Sequence, residues 1–176
     1  YGPQGTGILL CGNTDSITSI MEGGTGSESS NLNQPDMLPD MLESGTLNVC
    51  GIAGLLAGVK YVSEKGLRNI YENEESLCQR LVSGLYHIDG LKVFYDKKHH
   101  CGPVSIVSTK MPSEELCFLL GEKGFCLRGG LHCSPLAHIS AGTQKEGTAR
   151  ISFSVFSTEK EVDSFLEEIR KLQKEA

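Results

Sequence analysis

Several features are missing from this chain, and each absence narrows what it can be. No stretch approaches the roughly 20 consecutive apolar residues of a membrane-spanning helix, so no membrane partner is expected, and the first residues do not read as a secretory signal. The seven cysteines contain no C-x-x-C spacing, which removes zinc ribbons and thioredoxin-like motifs. The cluster His99-His100-Cys101 has no second cluster at matching spacing, so no metal site is expected. Basic residues are scattered, apart from Lys97-Lys98-His99-His100, which reads as a solvated loop. With a net charge of -6, no nucleic-acid partner is expected either, because phosphate contacts require clustered Lys and Arg. An odd number of irregularly spaced thiols fits a reducing compartment, the cytoplasm. The chain also lacks an opening Met. It enters on Tyr1-Gly-Pro-Gln-Gly-Thr-Gly, in a glycine-rich turn, and reads as a piece of something longer.

What is present suffices for one domain or little more: 176 residues, 39% of them apolar. Residues 7–11 read as a short buried strand. Residues 12–47 are rich in Gly, Ser, Asn, Asp and Pro, an irregular length that is uncommon in a compact domain. A helix is predicted from near Asn48, with Val49, Ile52, Ala53, Leu56, Val59, Tyr61 and Val62 as its apolar stripe. Gly51, Gly54 and Gly58 are poor helix formers, so a close-packed neighbour is expected against them. Gly66 interrupts. A second helix carries Leu67, Ile70, Leu77, Leu81, Leu85 and Ile88 on one face and stops at Gly90.

Strands are then predicted at 91–95, 104–108, 125–128 and 149–156. Between them lie a helix with Pro112 at its first position, running to Gly121, and a short helix or turn over 133–141. A last helix opens on a capping box, Thr158 with Glu161, and buries Val162, Phe165, Leu166, Ile169 and Leu172. The order β-β-α-β-(α)-β-α makes a small α+β sandwich, with helices on one face of a mainly antiparallel sheet. Cys50, Cys78 and Cys117 fall in apolar helical patterns and are expected in the core. Cys11, Cys101 and Cys126 lie at strand ends.

The richest motif is Arg128-Gly-Gly-Leu-His132-Cys133-Ser-Pro-Leu-Ala-His138, followed by Thr-Ala-Arg150. It sets one cysteine beside a histidine, on a glycine-rich turn, with two arginines near in sequence. A thiol is a useful nucleophile as its thiolate, and neighbouring positive charge favours that form. The pattern therefore suits a site that holds an amino-acid carboxylate near a nucleophilic sulfur. It equally suits a small thiol buried in a turn, and spacing alone does not choose between the two.

Taken in order, Y-G-P-Q-G-T-G-I-L, G-G-T-G, E-S-G-T-L-N, R-G-G-L-H-C and T-A-R-I-S-F-S resemble the C-terminal part of class V pyridoxal-phosphate (PLP) enzymes of the cysteine desulfurase and selenocysteine lyase type. The resemblance runs over the whole chain. It implies the aspartate aminotransferase-like fold type I, with residues 1–60 as the last part of the large cofactor domain and its linking helix, and 61–176 as the small C-terminal domain. It implies PLP as cofactor, L-cysteine or L-selenocysteine as substrate, a homodimer and a sulfur-acceptor protein.

Residue by residue, the resemblance assigns Thr46, with Gly45 and Gly24, to the cofactor phosphate, Thr46 reaching it across the subunit interface. A hydroxyl at a helix N-terminus is a sound phosphate ligand, although the same residue could merely cap its helix. Arg150 is assigned to the substrate carboxylate, which a guanidinium fork matches with two parallel hydrogen bonds. Arg128 is placed near the same pocket, Cys133 becomes the persulfide-forming nucleophile, and His132 becomes a proton acceptor or a mere hydrogen-bonding loop residue. His138 reads as packing on the loop. In the family the Schiff-base lysine lies just before the Tyr-Gly-Pro turn, and no lysine here stands in that context, so the isolated chain is expected to be inactive. Two stretches depart from the pattern: Ser27 to Met41, unlike the longer insertion of sulfur-mobilising members, and Gly130-Leu131, where a polar residue is replaced. Two other readings stay open, an aminotransferase or lyase of the same class with an incidental Cys133, and a purely structural or dimerising domain.

Overall fold

The computed structural model describes every residue except Thr14, Asp15, Lys97, His99, His100, Cys101 and Ala176, so the His99-His100-Cys101 cluster lies outside the described residues. The chain divides into two compact units, Tyr1–Gly66 and Leu67–Ala176. The break between these units follows the end of the first helix at Lys65.

In the first unit, residues 1–47 form turns and irregular chain ahead of α1 (Val49–Lys65). Residues 7–11 are not a strand. Ile8, Leu9 and Leu10 are 61%, 73% and 89% exposed, and no described segment of this unit pairs with them as a ladder would require. The expected neighbour of the α1 glycines is the chain's own beginning. A Cβ on Gly58 would sit 2.4 Å from the Tyr1 carbonyl oxygen, and one on Gly54 2.9 Å from Pro3 Cγ. One on Gly51 would sit 2.7 Å from Thr6 Cγ2. Gly51 and Gly58 are the buried positions of α1. Its apolar stripe is not. Ile52, Leu56 and Val59 are half-exposed and, with Ile8, Leu9 and Leu38, line an open groove of about 670 Å³. Cys50 is exposed for the same reason: it lies off the glycine face that the chain covers.

The second unit is α2 (Leu67–Leu85), β1 (Leu91–Phe94), β2 (Val104–Ser108), α3 (Ser113–Glu122), α4 (Pro135–Ala141), β3 (Ala149–Ile151) and α5 (Glu159–Glu175). The three strands form one antiparallel sheet in the order β1-β2-β3, with Val93 opposite Ile106, and Ile106 opposite Ala149. Side chains alternate across a strand, so Val104, Ile106, Ala149 and Ile151 share one face. They join Leu77, Leu81 and Leu85 of α2, Leu116 and Leu120 of α3, and Val162, Phe165 and Ile169 of α5 in a single core. All three helices thus cover that one face, the α+β arrangement expected.

Two expected strands are shorter. Of residues 125–128 only Arg128 pairs, in a lone bridge to Arg150, because β3 leaves the ladder after Ile151 and offers the rest no partner. Residues 152–156 accordingly turn away. Pro112 stands one residue before α3, as its N-cap. The Thr158 box forms as expected: the Thr158 N–H donates to Glu161 at 2.7 Å and the Glu161 N–H to the Thr158 hydroxyl at 3.3 Å. Among the described residues no helix is long and apolar enough to cross a membrane.

Candidate functional site

Arg128 is where the loop that carries Cys133 is tied down. Its N–H donates to the Arg150 carbonyl at 3.3 Å, and the Arg150 N–H donates back at 2.8 Å, which fixes the two arginine backbones side by side. The loop then crosses the start of α3 so closely that a Cβ on Gly129 would lie 3.0 Å from Glu114 Cα. Gly130 has φ +99°, and its N–H donates to the buried Ser113 hydroxyl at 3.2 Å. That hydroxyl donates in turn to the Glu146 carbonyl at 2.7 Å. Ser113 therefore pins the loop from beneath.

His132 and Cys133 follow with φ +51° and +59°, the only non-glycine residues described in the left-handed region. That conformation costs roughly 1–2 kcal/mol per residue, and it persists where the surroundings impose it. Here the Ser134 N–H closes the turn onto Leu131 at 2.9 Å, and the His132 ring is held at Nε2 by the Thr148 carbonyl and hydroxyl, at 3.1 and 3.0 Å. Pro135 then starts α4. The outcome is an exposed Cys133 thiol on a rigid corner. The Arg128 guanidinium donates to its sulfur at 3.6 Å.

Arg150 sits on β3 opposite Ser105, on the face away from the core side chains of Ala149 and Ile151. It is half-buried, and its Nε is buried with no hydrogen-bond partner among the described residues. A buried guanidinium nitrogen without a partner is uncommon in a folded protein, and the guanidinium fork matches the geometry of a carboxylate. His132 is held below the ordinary histidine value by burial, then by the positive charge of Arg150, with His138 and Arg128 adding to it. The Thr148 backbone bond works the other way. The imidazole is therefore neutral at neutral pH. His138 is buried, bonds the Thr143 hydroxyl through Nδ1 at 2.8 Å, and its ring lies 5.7 Å from that of His132, tilted by 43°.

In the first unit, Gly45 adopts φ +87° just before Thr46, whose residue is exposed two positions ahead of the α1 N-cap. That cap is Asn48, whose side chain accepts from the Gly51 N–H at 2.9 Å. Thr46 is therefore not the cap, and the plain capping reading of its hydroxyl does not hold. Gly23 packs against this corner, its would-be Cβ 3.4 Å from Ser44 Cβ. Gly24 is open, with nothing within 4 Å of a Cβ there. Gln34 ties the corner together, accepting from the Gly23 N–H at 3.2 Å and donating to the Asp40 carbonyl. A hydroxyl and glycine N–H groups are donors of the kind that bind phosphate; here the Gly51, Val49 and Gly23 N–H groups are already taken by Asn48, Leu47 and Gln34. Among the described residues no three His, Cys, Asp or Glu side chains come together as a metal site.

A model described as aminotransferase class-V matches residues 1–165. The chain belongs to the class-V aminotransferase family. A probable cysteine desulfurase of Xylella fastidiosa (strain 9a5c) is 30% identical over 99% of this chain and 42% of its own length. One of Methanothermobacter thermautotrophicus is 29% identical over 97% of this chain and 44% of its own. Among solved structures, the apo cysteine desulfurase of Thermococcus onnurineus NA1 superposes with a TM-score of 0.74 at 30% identity, over 78% of this chain and 34% of that one. The fold is thus that of the C-terminal region of these class-V proteins, and the chain spans about two fifths of the length of the curated relatives it matches.

The motif residues Arg128, His132, Cys133 and Arg150 are drawn around one loop. Thr148, Ser113, Gly147 and Gln34 carry no such signal in the sequence, because they act through a backbone group, a hydroxyl, a missing Cβ or a plain side-chain amide. The one cue for Thr148 was its place in Thr-Ala-Arg150.

Proposed function

We infer that this chain is the C-terminal portion of a PLP-dependent cysteine desulfurase, converting L-cysteine to L-alanine and leaving a persulfide on Cys133. The observation that carries the reading is the Arg128 guanidinium 3.6 Å from an exposed Cys133 sulfur held on a left-handed corner. The family match and the relatives named as probable cysteine desulfurases support it.

In this reading Arg150 takes the substrate carboxylate in a bidentate pair. The Cys133 thiolate attacks the substrate sulfur. A sulfur–sulfur bond forms, the carbon–sulfur bond breaks, and its electron pair remains on the carbon side, which is protonated to alanine. Thr46, Gly45, Gly24 and the first turn of α1 fit the phosphate end of the cofactor, which when bound supplies the electron sink for chemistry at the substrate carbon. His132, neutral at rest, holds the loop beside Cys133 through its bonds to Thr148. The reading includes a homodimer in which Thr46 serves the partner's cofactor, an acceptor protein for the persulfide sulfur, a reducing cytoplasm, and residues 1–60 as part of the large domain. It leaves the isolated chain inactive, since no lysine here stands in the family's Schiff-base context.

The test is made in the longer protein that carries this chain. Cys133→Ser is expected to keep the visible absorbance of the bound cofactor and to release no alanine from L-cysteine. Unchanged alanine release would overturn the assignment and favour an aminotransferase or lyase with an incidental Cys133. Turnover confined to L-selenocysteine would move it to the lyase.

A further inference from the structure

His132 Nε2 stands 3.1 Å from the Thr148 carbonyl oxygen and 3.0 Å from the Thr148 hydroxyl. A carbonyl oxygen only accepts, so the ring nitrogen facing it must carry the hydrogen. The opposite tautomer would set lone pair against lone pair at Nε2. It would also leave a buried N–H at Nδ1, which has no hydrogen-bond partner among the described residues, and an orphaned buried donor bears its full desolvation penalty. Thr148 itself is buried and clamped, its N–H donating to the Gly130 carbonyl at 3.1 Å. One residue therefore holds both the glycine turn of the loop and the imidazole above it.

We propose that Thr148 is a positioning residue of this site: its backbone carbonyl locks His132 as the Nε2–H tautomer, with the hydroxyl beside it adapting to either role, leaving Nδ1 as the one basic atom of the ring. The consequence for catalysis rests on the desulfurase reading. A proton reaching the ring would form an imidazolium at Nδ1, which is buried and bonds neither Cys133 nor any other described residue. Three neighbours face that imidazolium: Arg150 of β3, Arg128 of the bridged segment and His138 of α4. Two guanidinium charges make it a poor resting place for a proton, so the ring stays neutral, with Nε2 as its one donor.

The tautomer is read directly from the imidazole nitrogens. In the ¹⁵N-labelled 176-residue chain at neutral pH, two-bond proton–nitrogen correlations for His132 are expected to show a protonated Nε2 and a bare Nδ1. Thr148→Val removes the hydroxyl and keeps the backbone carbonyl, so the Nε2–H pattern is expected to persist. A protonated Nδ1 in the unsubstituted chain overturns the proposal whether or not any variant folds. An Nδ1–H form appearing in Thr148→Val also overturns it, because the carbonyl would then not hold the tautomer. The outcome is separable from the activity assay. Unchanged turnover in Cys133→Ser would remove the desulfurase reading and leave the tautomer standing, whereas a protonated Nδ1 would remove the role of Thr148 and leave Cys133 as nucleophile.

Discussion

Two glycines flank the end of α4 in the same backbone conformation, and comparing them isolates what holds the Cys133 loop in place. Gly142 and Gly147 have φ +68° and +63°. At Gly142 a Cβ would meet nothing within 4 Å. At Gly147 it would lie 2.7 Å from the carbonyl carbon, the Cα and the oxygen of Gly130, a backbone that the Thr148 N–H and Ser113 hydroxyl already fix from two sides. An alanine forced into the left-handed region costs roughly 1–2 kcal/mol, offset by about 0.4–1 kcal/mol because the unfolded chain is stiffened. Gly142→Ala should therefore lose on the order of 1 kcal/mol or less. Gly147→Ala bears the same cost plus a steric one of about 1–3 kcal/mol for an extra carbon in packed surroundings, so its loss should be about 2–4 kcal/mol.

Urea unfolding followed by far-UV circular dichroism separates the two, provided the slopes agree, since an unchanged slope means that stability rather than the unfolded ensemble has changed. Gly147→Ala should also alter the alkylation rate of Cys133, which lies three residues past Gly130, and Gly142→Ala should not. If the two variants unfold within about 0.5 kcal/mol of each other, near the limit of additivity between mutants, the close approach of Gly147 to Gly130 is not what shapes the loop.

Stability of the second unit should rise with pH up to about 6.5. His132 is held below that ordinary value in the fold, so the unfolded chain binds the proton first as pH falls, and the folded state loses ground through that window. Urea midpoints taken between about pH 5 and 8 should show this slope in the native chain and a flatter one in His132→Asn; a steeper profile in the variant would contradict the assignment. Thiol labelling should divide the cysteines. Cys133, Cys126, Cys50 and Cys11 are exposed, whereas Cys78 is buried, and burial, with Glu75 and Glu74 nearby, pushes its thiol up to about 11. Mass spectrometry after brief alkylation should find Cys78 modified only once denaturant is added.

The helices of the second unit were legible because their signals are local. The stripe of α5 and its Thr158–Glu161 box sit within a few residues of one another, and the burial of Val162, Phe165, Leu166 and Ile169 follows from a period of 3.6. The strands at 7–11 and 125–128 were not, because an apolar run specifies a strand only if a partner edge lies beside it, and pairing is decided elsewhere in the chain. The glycines of α1 show the intermediate case. Gly51, Gly54 and Gly58 announced a close neighbour, yet nothing local identified it as Tyr1 to Thr6, some fifty residues away in sequence.

The same division runs through the site. Arg128, His132, Cys133 and Arg150 carry their chemistry in their side chains and could be read as a motif. The parts that position them could not, since they work through a carbonyl, two hydroxyls and the absence of a Cβ. Their energetic weight is nevertheless comparable. Two consecutive left-handed residues cost roughly 2–4 kcal/mol, while each buried hydrogen bond from Ser113 or Thr148 returns about 1 kcal/mol. The loop alone would therefore relax to an ordinary turn and withdraw the thiol from Arg128. It is Ser113 on α3, and Thr148 just before β3, both set by the sheet and its helices, that keep Cys133 at the corner. The position of the sulfur is thus a property of the fold as much as of the cysteine.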